Sequence, residues 1–223
     1  MSVWFEFRLI DWQRFEAARA DLTALARGEV TSATRELARR ARDRLASLDP
    51  RRIEDWRRAS FEEGLTSVVD AVGDRLEERE RFNGEGAYAI VALECMVDYE
   101  KVRDLDDAPS TAIRLADSDG ALWAGLTGAI PLLEQWVMLG PPGMALCGDE
   151  RGLLVLPRTR LETLAADVER LALEDPELEE MDAALASWGR FDVEIARLAF
   201  ARLRALVSRA AGDPRWSLSF ESV

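Results

Sequence analysis

The chain has 223 residues, a formal net charge of −13 and no histidine. Without an imidazole, a Ser-His-Asp triad, a Cys-His pair, a His-ligated metal and a His general base are all excluded. The negative charge disfavours nonspecific binding to nucleic acid or to an anionic membrane, and no stretch approaches the roughly 20 apolar residues of a bilayer span.

Residues 3–10 are rich in aromatic and β-branched types and predict a strand. Asp11 then caps a helix with Trp12, Phe15, Ala18, Leu22 and Leu25 on its apolar stripe, ending at Gly28. A second helix follows Thr31 and Ser32, with Leu37, Ala41, Leu45 and Leu48 on one face. Asp49-Pro50 stops it and opens a short third helix, proline suiting the first helical position.

Ser60-Phe61-Glu62-Glu63 has the form of a capping box. The helix it starts would carry Phe61, Leu65, Val68, Val69, Val72 and Leu76, and Asn83-Gly84-Glu85-Gly86 would end it. Ala87–Tyr99 is an apolar segment read as helix for its alanines, although Ile90-Val91 also suits a strand.

Residues 103–110 read as a loop. Two strands, 112–115 and 121–125, would be joined by an Asp117-Ser118-Asp119-Gly120 turn. Pro131 opens a helix through Leu139, closed by Gly140-Pro141-Pro142-Gly143. Residues 144–147 and 153–156 form a second expected hairpin. Helical stripes follow from Leu161 to Ala172, from Leu178 to Trp188 and from Phe191 to Leu206. Residues 216–220 alternate strictly and predict a closing strand.

The expected fold class is therefore α+β: predominantly helical, with about eight helices and a small, mostly antiparallel sheet that includes N- and C-terminal strands. A single domain spanning 1–223 is expected, with a soft sub-boundary near 103–110. The beginning of the chain has neither a basic leader nor a small-residue cleavage site, which fits a cytoplasmic protein. Cys95 and Cys147 both sit in apolar surroundings and read as small buried hydrophobes.

Charge is unevenly distributed. From Glu162 to Asp182 nine carboxylates face one arginine, a local charge of −8. From Thr31 to Ser60 nine arginines face five acids, a local charge of +4. One reading makes both segments solvated helix faces, or faces packed against each other. The functional reading makes Glu162, Asp167, Glu169, Glu174, Glu177, Glu179 and Glu180 a docking surface for a basic protein partner. Trp56, set among arginines, either packs at the edge of the core or anchors the same kind of interface.

Glu94 interrupts an apolar run, where a carboxylate needs a partner or a raised pKa. Asp117 and Asp119 flank their turn and offer weak cation ligands, although the glycine comes too early for an EF-hand loop. No phosphate loop, dinucleotide fingerprint, Gly-x-Ser-x-Gly or Cys-x-x-Cys occurs. The leading expectation is a non-enzymatic acidic protein-binding module of immunity or antitoxin character, without a cofactor or metal. The alternatives are a hydrolase using Glu94 with Asp117 or Asp119, with or without a divalent cation, and a self-associating structural module.

Overall fold

The computed structural model describes residues 3–73, 80–96, 112–117, 153–173 and 193–222. The elements are β1 (Val3–Asp11), α1 (Trp12–Ala26), α2 (Ser32–Ser47), a 3-10 turn (Pro50–Arg52), α3 (Asp55–Val69), α4 (Glu80–Ile90) and a π-helical turn (Val91–Cys95). They are followed by β2 (Ala112–Asp117), β3 (Leu153–Val155), α5 (Arg158–Leu173), α6 (Val193–Gly212) and β4 (Trp216–Ser222). The protein is mostly helical, with a small sheet built on its N- and C-terminal strands. Six α-helices lie among the described residues, rather than about eight. The helices expected at 131–139 and 178–188 lie outside the described residues, as do the strands expected at 121–125 and 144–147.

Two compact units divide the chain. The first comprises Met1–Leu9, Val102–Pro142 and Leu154–Val223. Its sheet has the order β2-β1-β4-β3, and β1 runs antiparallel to β2 from Val3↔Asp117 to Arg8↔Ala112. Thus β2 pairs with the N-terminal strand, a long-range contact that a local hairpin reading does not supply. The rings of Phe7 and Phe220 meet at 5.0 Å, so the apolar residues of β1 and β4 share a face. Strand alternation then puts Glu6, Arg8, Ser219 and Glu221 on the other face. Those four are also buried, so both faces of the central pair are covered.

Helices α5 and α6 pack on each other, and both touch β4. Leu161, Leu164, Val168, Leu203, Leu206 and Val207 supply their buried stripes. Arg158 fastens the end of α6, where carbonyls lack helical partners. Its guanidinium donates to the carbonyls of Ala210 at 2.6 Å, Trp216 at 2.7 Å, Asp213 at 3.2 Å and Ala211 at 3.3 Å.

The second unit, Ile10–Lys101 with Gly143–Leu153, is mostly helical in its described part. Asp11 caps α1 by accepting from the Arg14 amide at 3.0 Å, and Gly28 closes it with a positive φ of 80°. Thr31 and Thr34 form a reciprocal capping box on α2. Asp49 caps the proline-led 3-10 turn. The first turn of α3 corrects the sequence reading: the helix begins at Asp55, so Ser60-Phe61-Glu62-Glu63 lies inside it and caps nothing. Phe61, Leu65 and Val68 are buried as the stripe requires, but the helix stops at Val69 and Val72 is 94% exposed.

Asn83-Gly84-Glu85-Gly86 likewise ends no helix; it lies within α4. A Cβ on Gly64 of α3 would come 2.9 Å from main-chain atoms of Glu85 and Gly86. One on Gly86 would come 2.6 Å from Val68 Cγ2. These glycines let two helix backbones approach, a use of glycine separate from its turn-forming freedom. Residues 87–95 are helical as expected, the last five as a π turn; residues 97–99 lie outside the described residues.

Candidate functional site

The π turn places Glu94 and Cys95 beside the seam between α1 and α2. Such turns widen the backbone ring by one residue and re-aim side chains. Arg14 and Arg40 converge on Glu94 from the two helices. Arg14 Nη1 donates to the Glu94 carbonyl at 3.2 Å, and Arg40 Nε donates to Glu94 Oε2 at 3.4 Å. Arg14 also lies 3.6 Å from the carboxylate of its capping residue, Asp11.

Around this cluster opens a cleft of about 550 Å³. Helix α1 contributes Arg14, Ala17, Ala18 and Asp21, and α2 contributes Ala33, Glu36, Leu37 and Arg40. Both sets fall at i, i+3, i+4 and i+7, so each is one continuous helix face. Small side chains keep the seam open, and charged groups stand along its length. Cys95 forms part of the wall. Burial pushes its thiol up to about 12, and the carboxylates of Glu94 and Asp11 push the same way. At neutral pH it is an inert thiol.

The other expected site residues are scattered. Asp117 ends β2 opposite Val3, in the sheet-containing unit, whereas Glu94 belongs to the helical one. Asp119 lies outside the described residues. Trp56 is 42% exposed in the first turn of α3, and the Arg57 guanidinium lies 4.9 Å from its ring centroid. Among the acids, Glu162 is exposed on α5 and Asp167 is half-buried. Glu169 is tied internally, accepting from Arg204 at 3.0 Å and from Ser208 at 3.1 Å. Those two bonds, Arg204 first, hold its carboxyl below the usual glutamate value. Glu174, Glu177, Glu179 and Glu180 lie outside the described residues. Among the described residues no group of three or more Cys, Asp or Glu is arranged to hold a metal ion.

Sequence reasoning missed the buried polar face of the sheet. Arg8 donates through Nε and Nη2 to Glu6 Oε2, at 3.2 and 2.8 Å. Ser219 Oγ donates to the Arg8 carbonyl at 3.4 Å. The alternation at 4–8 and 216–222 marks a two-faced strand, but by default it assigns the polar face to water. Sequence reasoning also missed the α1–α2 cleft. Its only signal is the matched spacing of small and charged residues on two neighbouring helices.

No protein family, curated protein or solved structure matches the chain. Among the described residues no helix is long and apolar enough to cross a membrane.

Proposed function

We propose that the protein is a non-enzymatic acidic binding module whose partner is a basic protein. An immunity or antitoxin-type inhibitor is the concrete form that fits this character. The observation that carries the reading is the formal net charge of −13. Arg8 and Arg57 are buried, and Arg35 and Arg158 are spent on main-chain carbonyls: Arg35 on Ala71, at 2.8 Å, and on Gly73, Arg158 on the end of α6. Glu162, Asp43, Asp55 and Glu63 stay on the surface. Glu6, Asp11 and Glu221 are buried as well, so burial does not sort the two signs, and the acidic character is that of the chain as a whole. A field of that sign steers cationic partners and selects among them. Glu94 supports the same reading, because its carboxylate serves an ion pair with Arg40 rather than standing as an isolated acid.

The test is affinity capture from the source cells followed by reconstitution from purified components. A strongly basic polypeptide that re-forms a stoichiometric complex supports the proposal. Failure of every captured protein to re-form a complex, or re-formation only with acidic ones, overturns it.

A further inference from the structure

Resting on that reading, we infer that the cleft between α1 and α2 receives an arginine or lysine side chain of the basic partner, with its cationic head at Asp21 and Glu36. Asp21 and Ala33 line one cleft although they stand near opposite ends of their helices, so α1 and α2 run antiparallel. Asp21 lies seven residues beyond Arg14, about 10 Å along α1. Glu36 lies four residues before Arg40, about 6 Å along α2. Both acids are therefore displaced towards the same end, away from the arginines and Glu94.

The two ends differ in what they still offer. Arg14 and Arg40 are engaged by Asp11 and by Glu94, which disfavours an anionic occupant. Asp21 makes no ion pair among the described residues. Glu36 has only a loose 3.9 Å pairing with Arg39, exposed at both ends. Between the ends, Ala17, Ala18 and Leu37 form an apolar floor. Cationic side chains lay their methylene stems on such surfaces while the head seeks a carboxylate. The volume of about 550 Å³ lies within the range of ligand-sized sites and accommodates one long side chain with its flanking backbone.

The experiment is a titration of the full chain with a hexa-arginine peptide, followed by amide NMR shifts. Three proteins are compared: wild type, the double variant D21N/E36Q, and the charge-matched control E29Q/D70N, whose substitutions are exposed and lie outside the cleft. The expected result is saturable shifts at Ala17, Ala18 and Leu37, with affinity about tenfold weaker in D21N/E36Q and within about twofold of wild type in the control. Equal weakening in both variants, or shifts confined to other surfaces, overturns the cleft inference while leaving the acidic-surface reading standing. Absence of saturable binding to wild type also overturns the cleft inference, and the reconstitution experiment then judges the broader reading independently.

Discussion

Arg40 and Glu94 are 54 positions apart, yet Arg40 Nε lies 3.4 Å from Glu94 Oε2, tying α2 to the π turn. The Arg40 side chain is half exposed and that of Glu94 is 21% exposed. A pair so open to water contributes on the order of 0.5 kcal/mol. A double-mutant cycle on R40A and E94Q is therefore expected to give a coupling below about 1 kcal/mol by urea unfolding. Coupling of several kcal/mol would mean that Glu94 is held in a drier and more strained setting than this geometry shows.

The α3–α4 crossing makes a sharper prediction. Gly86→Ala drives a methyl into Val68 Cγ2, and overpacking of this kind costs about 1–3 kcal/mol. Trimming the obstacle with Val68→Ala is expected to make the Gly86→Ala penalty smaller. Gly64→Ala meets main-chain atoms of Glu85 and Gly86, so Val68→Ala gives no relief there. Urea midpoints for the two pairs of variants check this, and equal rescue at both positions would contradict it.

Arg158 gathers four carbonyls around the end of α6. Its guanidinium presents several donors in one plane, whereas a lysine ammonium is a compact point charge. Arg158→Met is expected to lower stability by about 2–3 kcal/mol, in line with lost hydrogen bonds to a charged donor. Arg158→Lys is expected to recover less than half of that loss. Thermal unfolding distinguishes this from a merely apolar role, in which methionine would serve as well as arginine.

Cys95 predicts a pH dependence. Its folded pKa is raised from 9.0 to about 12, chiefly by burial. The unfolded chain therefore releases the thiol proton first. The associated stability is fully present below pH 9 and is lost as pH rises from 9 towards 12, at up to about 1.4 kcal/mol per pH unit. In a Cys147→Ser background, Cys95→Ala is expected to flatten that alkaline decline. In the same background native Cys95 is expected to resist thiol reagents at pH 8 and to react once urea unfolds the chain. Fast native labelling would contradict the burial that sets this pKa.

Much of the helical architecture is legible in the sequence because its determinants are local. Asp11, Thr31 and Asp49-Pro50 mark starts that the structure keeps, and Phe15, Leu22, Leu45, Phe61 and Leu65 occupy the core that their spacing implies. The failures come from residues whose meaning depends on distant partners. Gly86 signals a helix end when read alone, but it serves a helix crossing because Val68 and Gly64 lie against it. Ser60 and Glu63 match a capping box, yet α3 already begins at Asp55. Glu6 and Arg8 occupy the alternate positions of a half-wet strand, but both are buried and paired. The cleft needs two helices and the π turn together, so no single stretch of sequence displays it.

The central claim, that an acidic exterior attracts a cationic protein, is tested most directly by the association rate constant of the reconstituted complex as ionic strength is raised. Electrostatic steering predicts a fall of about tenfold or more between about 20 mM and about 300 mM NaCl. A rate constant that stays within about twofold across that range would contradict the claim.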